Sequence, residues 1–492
     1  MSAHPAILSP ALRGVSWPMA IAAFVAGLAV LLAAFATEVI TALDTWESST
    51  AYNHCWLVLP VALWLAWGRR HRLEGMQPSP APAAAICALL AGCAWLVAER
   101  LGIMEGRQLA VLGMVWSLVL AVFGWQFVRA MLGPLLYLVF LVPFGAFIVP
   151  LLQRFTAWFI VTGLQILSIP HYHDDLVIEI PAGTFLVAEA CAGLRFIIAA
   201  LAFGAVYALA VFRSPSRRLA VMALAIVVPV IANGVRALGI VLLGHTIGSA
   251  EAAAADHLLY GWVFFSVVIL LLVLTGLPFR EDTAPDPQPS LLPRPPGRGA
   301  TALLASAVLC CGLAAAAPAL AAVLDRVPPA AAVAPRLALP PECVANGQGV
   351  EFRCGNATLT ARLLVFSPRV TWSKVSAERR GMADDDDEAV TFNITTGDVT
   401  WSVRQDAKSA AMVAVASWLG GRPAGDGLRS RISQAMNSLH EGSGRPVVAA
   451  IIVRYDTRAR DAASQQRDRA WLKSLMQASA AGFVDQAAAL SR

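Results

Sequence analysis

Cys191 and Arg195 lie in Glu-Ala-Cys-Ala-Gly-Leu-Arg (Glu189 to Arg195), Arg236 ends Asn-Gly-Val-Arg (Asn233 to Arg236), and His257 lies in Asp-His-Leu-Leu-Tyr-Gly (Asp256 to Gly261). All four stand at or near the ends of membrane-length apolar runs, where polar groups are costly and therefore functional candidates. A thiolate is a strong nucleophile once its pKa is lowered. Cys191 is expected to open a helix, whose dipole favours an anion. Arg195, four residues on, shares that helix face and adds positive charge. His257 could act as general base toward the thiol or as acid toward a leaving amine. Arg236 keeps its proton, which suits it to an oxyanion or a substrate carboxylate. Glu189 could pair with either arginine. Nucleophile, proton carrier and fixed cation are the parts acyl transfer requires.

The elements that must position these groups are membrane helices. The chain has 492 residues, of which 58% are hydrophobic and only 14% charged. With a mean hydropathy of +0.64, this is the composition of a polytopic membrane protein. A net charge of +5 argues against a nucleic-acid partner. The first apolar run, Trp17 to Ala36, is long enough to span and lacks a convincing cleavage site, so no removable signal peptide is expected. Further runs fall near 54–68, 82–98, 109–128, 131–150, 151–169, 191–212, 219–244, 258–277 and 301–324.

Positive residues set the expected orientation. Arg69, Arg70 and Arg72, then Arg213, Arg217 and Arg218, then Arg280, Arg294 and Arg298 mark three cytoplasmic loops. The segment before Cys191, the loop 245–257 and the chain after 324 then lie outside, which gathers Cys191, Arg236 and His257 on one side. With Gly244 as the outer helix end, Arg236 lies roughly 12 Å below it. Parity leaves one conflict. If 109–128 and 131–150 both span, then 151–169, with Gln153, Arg154 and Thr156, is an interfacial or re-entrant helix; otherwise one earlier run does not span. Segment 171–188 reads as two short strands around Pro181-Ala182-Gly183.

The expected fold class is an all-α polytopic membrane helix bundle with a small outer β-hairpin, followed by a soluble α+β domain. Its parts are a catalytic membrane region (1–280), a Pro-rich cytoplasmic linker (281–300), an additional transmembrane helix (301–324) and an outer accessory domain (325–492). In that last domain strands are expected at 358–366, 389–395, 398–404 and 446–454, and helices at 407–419, 427–440 and 464–489. Cys343 and Cys354 would form a disulfide in an oxidising compartment. His171 and His173, with Asp174 and Asp175, offer a conceivable metal site, but a solvated hairpin explains them better, and no metal or cofactor is expected. The acidic run Asp384 to Glu388 reads as a solvated loop.

The ordered set Glu189 to Arg195, Asn233 to Arg236, and His257 with Gly261 and Trp262 resembles the exosortase/archaeosortase family. The stretch Trp46 to Pro60, with Ser49, Tyr52 and His54, and the pair Pro143-Phe144 are similar to that family as well. The resemblance covers roughly residues 15–280. It implies a membrane cysteine transpeptidase, sortase-like by convergence, with Cys191 as nucleophile, Arg236 as transition-state cation and His257 as acid/base. Glu189, Arg195 and Asn233 would support them. The implied substrates are secreted proteins bearing a C-terminal sorting signal: a short motif such as Pro-Glu-Pro, a membrane helix and a basic tail. The acceptor, linked to lipid or polysaccharide, is left open. The implied setting is the inner membrane of an exopolysaccharide-producing bacterium, among membrane lipids, with the site and the C-terminal domain on the periplasmic side. Two positions depart from the family pattern: Ala192 where serine is usual, and Cys55 where glycine is usual. The rival reading is a non-enzymatic component of exopolysaccharide export or assembly, with Arg236 on an anionic headgroup.

Overall fold

An apolar segment can satisfy its own backbone polar groups in lipid only as a helix, and the apolar runs fold accordingly. The computed structural model describes residues 15–248, 257–282, 299–341, 343–346, 351–382, 390–406, 411–440, 444–456 and 462–492. The acidic run Asp384 to Glu388 and most of the Pro-rich linker lie outside these. In chain order the membrane-region helices are α1 (Trp17–Ala34), α2 (Ala36–Ser48), α3 (Cys55–Gly68), α4 (Ala84–Leu101), α5 (Met104–Phe123), α6 (Trp125–Ala130), α7 (Leu132–Tyr137), α8 (Val149–Ile166), α9 (Leu194–Val211), α10 (Pro215–Ile247), α11 (His257–Gly276) and α12 (Ala300–Leu324). Among the described residues seven helical segments are long and apolar enough to cross a membrane. The chain divides into two compact units, Met1–Gly92 with Gln108–Ala315, and Cys93–Arg107 with Ala316–Arg492.

The middle of the first unit differs from expectation. The run 131–150 is not one helix but α7 followed by two 3₁₀ turns, Leu138–Leu141 and Ala146–Ile148. Pro143 has no N–H to give a helix, and Gly145 takes the left-handed φ of 114°. The run 151–169, expected as an interfacial or re-entrant helix, folds as the continuous α8. With the turn before it, Ala146–Ile166 is 21 residues of spanning length and hydropathy.

α10 is one helix of 33 residues with Pro215 in its first turn, where a missing N–H costs nothing. It ends at Ile247 rather than at the expected Gly244, and Gly248 closes it in the left-handed conformation, φ 77°, with its N–H on the Gly244 carbonyl. At the other end of α10, the backbone N–H groups of Arg213 and Ser214 donate to Glu281 Oε2 at 2.7 and 2.9 Å. These bonds, Ser214's first, hold the Glu281 carboxyl below its ordinary pKa and tie the chain after α11 to the α9–α10 turn.

The outer hairpin is a three-stranded antiparallel sheet: β1 (Tyr172–Asp174), β2 (Val177–Ile180) and β3 (Gly183–Leu186). The unforeseen β1 is exposed along its length and so has no apolar alternation to announce it. It turns into β2 through Asp175, at φ 50°, a conformation Asp tolerates better than most residues.

The C-terminal domain carries a further antiparallel sheet in the order β5 (Cys343–Asn346), β6 (Glu351–Cys354), β7 (Ala357–Val365), β12 (Val447–Tyr455), β10 (Ala411–Leu419), β9 (Val399–Asp406) and β8 (Val390–Thr396). The short β4 (Ala331–Val333) pairs with β7, and β11 (Arg422–Pro423) with β10. α13 (Trp372–Gly381) packs on one face, α15 (Ala462–Ala478) and α16 (Asp485–Leu490) on the other; α14 (Leu428–His440) lies between α13 and β12 in sequence. The segment 407–419, expected as a helix, supplies β10. Ala411 to Leu419 is buried at every position between β9 and β12. A strand covered on both faces reads as an unbroken apolar run, which periodicity does not separate from a buried helix. The expected helix 464–489 is interrupted by a π turn at Ala480–Val484.

Cys343 and Cys354 face each other across β5 and β6 and are joined by a disulfide, with their Cα atoms 4.2 Å apart. In cells, both thiols are expected to resist maleimide until a reductant is added. Labelling without reductant would place this domain in a reducing compartment.

Candidate functional site

The cysteine motif folds as a 3₁₀ turn, Glu189–Cys191, that hands over to α9 through Gly193. Cys191 N–H donates to the Ala188 carbonyl at 2.9 Å, and Ala192 N–H to that of Glu189 at 3.1 Å. Gly193 lies at φ 82°, where a side chain is strained. A Cβ there would also stand 2.5 Å from Asn233 Cγ. Glycine is therefore needed twice, for the turn and for the close approach of α10. Cys191 is partly exposed and leans on the cluster of α8, the sheet and α10, while Ala192 is buried beside Tyr52, Cys55 and Leu194.

Asn233 joins the two main candidates. Its Nδ2 donates to the backbone carbonyl of Cys191 at 2.9 Å and approaches Thr156 Oγ1 at 3.4 Å. Its Oδ1 faces Arg236 Nη1 at 3.4 Å. Asn233 and Arg236 are three apart on α10 and so share a face. Arg236 is only 2% exposed. Its Cζ lies 5.4 Å from the Phe196 ring centroid, and that of Arg195 5.5 Å, so both cations gather around one aromatic ring. A Cβ on Gly261 would meet Arg236 Nε at 3.5 Å, so α11 passes its backbone directly over the guanidinium.

A cavity of about 390 Å³ opens here, lined among others by Asn53, His54, Arg195, Phe196, Arg236 and Gly261. His54 was marked by resemblance only, and the cavity gives it a place. Its Nδ1 is 3.2 Å from the Ala51 carbonyl. A carbonyl can only accept, so Nδ1 carries the proton in the neutral ring and Nε2 is an acceptor. His257 is the first residue of α11, one helical turn before Gly261; its side chain lies outside the described residues. Glu189 is exposed on the 3₁₀ turn. His171 and His173 are 6.4 Å apart by ring centroid on the exposed edge of the small sheet.

Two supports on α8 were not foreseen. Thr156 is buried against Asn233, and Gln153 Nε2 donates to the Val187 carbonyl at 2.9 Å, fixing the strand end that leads to the cysteine. Both lie on α8, on the side that faces the strand end and α10. The early loop and the Pro143 segment also meet. Trp46 Nε1 donates to the Leu141 carbonyl at 3.0 Å and the Tyr52 hydroxyl to that of Phe144 at 3.2 Å. The thiol of Cys55, one of the two departures from the family pattern, donates to the Phe140 carbonyl at 3.2 Å.

Residues 46–274 match the family model described as transmembrane exosortase. No curated protein and no solved structure matches the chain. The matched segment holds the early loop, the cysteine turn, Asn233, Arg236 and the start of α11, and stops before α12.

Gly193→Ala is expected to destabilise the chain by at least about 1–3 kcal/mol from backbone strain alone, read as a lower thermal midpoint in detergent. An unchanged midpoint would show that Asn233 does not sit against this turn.

Proposed function

We propose, from the match of residues 46–274 to the transmembrane exosortase model, that the chain is a membrane-embedded cysteine transpeptidase acting on the C-terminal sorting signals of secreted proteins. The observation that carries the reading is the Asn233 carboxamide, which contacts the Cys191 backbone on one side and the Arg236 guanidinium on the other. In this reading the Cys191 thiolate attacks a backbone carbonyl carbon of the signal. The carbonyl π electrons move to oxygen, and Arg236 holds the resulting oxyanion. Collapse expels the amine of the downstream segment, which takes a proton from His257. The acyl group is left as a thioester on Cys191. An acceptor nucleophile attacks that thioester, gives its proton to the now neutral His257 and expels the Cys191 thiolate; with water in this role the product is a plain carboxylate.

The chain's architecture suits this division of labour. The Cys191 thiol is half-buried on its turn, whereas the Arg236 guanidinium is 2% exposed at the cavity wall. A fixed charge in a medium of low dielectric acts more strongly on a developing oxyanion than one in water. His257, which opens α11 one helical turn before Gly261, is the residue to which this reading gives the proton transfer.

The test follows a tagged secreted substrate on a gel, in cells that carry the chain or its variants. Cys191→Ala is expected to stop processing, and Arg236→Gln to slow it by about 10²–10³-fold. Continued processing by Cys191→Ala would overturn the reading. A silent Cys191→Ala combined with a harmful Arg236→Gln would point to a non-enzymatic role in polysaccharide export.

A further inference from the structure

A second charged cavity lies at the far ends of the helices that begin at the candidate site. α3 starts beside His54 and ends at Arg69; α9 starts just after Cys191 and ends just before Arg213. The 18 residues of α9 cover about 27 Å at 1.5 Å per residue, close to the thickness of a bilayer's hydrocarbon core. The two cavities therefore belong to opposite faces of the membrane region.

This second cavity holds about 370 Å³ and is lined by Arg69, His71, Arg72, Arg213 and Arg218, with Trp64 and Trp67 beside them; none of its lining residues is acidic. The arginines come from two separate segments, the end of α3 and the α9–α10 turn with the first turn of α10, so the cavity is a product of folding rather than of one basic run. Two of them are held in place. Arg69 Nη2 donates to the Leu209 carbonyl at 3.0 Å, and Arg218 Nε to that of Phe212 at 2.9 Å. Trp64 and Trp67 are 59% and 68% exposed, as indole rings at a headgroup layer are.

Phe212 lines this cavity and also a neighbouring one of about 290 Å³, whose other walls include Tyr207, Val221, Leu224, Leu272 and Phe279. A polar cation-lined space and an apolar space thus share a wall. A soluble anion has use for the first only. A phospholipid with a negative headgroup has use for both.

We infer that the Arg69/Arg72/Arg213/Arg218 cavity binds the phosphate-bearing headgroup of an anionic phospholipid, with an acyl chain in the apolar cavity behind Phe212. The site is separate from the cysteine site and does not rest on the proposed transpeptidation. It makes the end of α3 and the α9–α10 turn a lipid-specific anchor rather than a merely basic surface.

The full chain is reconstituted in nanodiscs of phosphatidylcholine containing a minority of phosphatidylglycerol, then stripped with mild detergent, and the retained lipid is read by native mass spectrometry. Wild type is expected to keep phosphatidylglycerol. Arg72→Gln with Arg213→Gln is expected to weaken retention roughly thirty-fold, since each basic residue at a membrane surface contributes about a factor of five. Arg72→Lys with Arg213→Lys is expected to recover most of it. Should the double glutamine variant not fold, the single Arg72→Gln variant is expected to show a loss of about fivefold. Equal retention by wild type and the folded glutamine variants would overturn the inference. So would a thermal shift in pure phosphatidylcholine discs with millimolar inorganic phosphate that matches the shift given by phosphatidylglycerol, because the occupant would then be a soluble anion.

Discussion

A single buried side-chain amide sets the geometry of the candidate site. Asn233, 4% exposed, contacts a carbonyl, a hydroxyl and a guanidinium, each from a different residue. An amide left unsatisfied in such surroundings is expensive, so the amide draws its partners together. The carbonyl belongs to Cys191, the hydroxyl to Thr156 on α8 and the guanidinium to Arg236 one turn along α10. Three elements far apart in the chain are thus placed against one another by one side chain. Gly193 makes this contact possible, because any Cβ would occupy the space of Asn233 Cγ.

The surrounding helices follow from that contact. α8 must be continuous to present Gln153 and Thr156 on the side facing the cysteine turn, and these polar residues are accommodated because they face protein rather than lipid. Gly234 and Gly163 let α8 and α10 approach closely, since a Cβ at either would meet Phe159 or Leu238 at under 3 Å. Small residues at such crossings are the usual means of bringing membrane helices together. The broken segment between α6 and α8 offers its carbonyls to Trp46, Tyr52 and Cys55, which satisfies backbone groups that an irregular chain in this environment would otherwise leave without partners.

The unit is also polarised along α3 and α9. One end of both helices carries the thiol, His54 and the paired arginines around Phe196; the other carries the basic cavity beside Trp64 and Trp67. The charges at the two ends differ in setting. Arg236 is buried and packed against an aromatic ring and a backbone, as suits a cation that must not move. Arg69, Arg72, Arg213 and Arg218 are partly exposed at loop ends, as suits contact with a charged layer outside the helices.

Much of this was legible in the amino-acid sequence. Long apolar runs become helices because no other structure satisfies their backbone in lipid, and the ends of α4, α5, α9 and α12 fall within a few residues of the runs that announce them. Cys191, Asn233 and Arg236 stood out because polar residues at that depth need a reason. What the sequence did not decide is which polar residues face which neighbour. Gln153 and Thr156 could be read only as polar residues of a helix, since composition records polarity and not direction. β10 looked helical because burial on both faces removes the alternation that identifies a strand. β1 was silent for the opposite reason, having no buried face. The joining of Cys191 to Arg236 through Asn233, and the meeting of two arginine-bearing segments in one cavity, were settled only by tertiary packing, because each depends on contacts between segments whose separation along the chain carries no information about their distance in space.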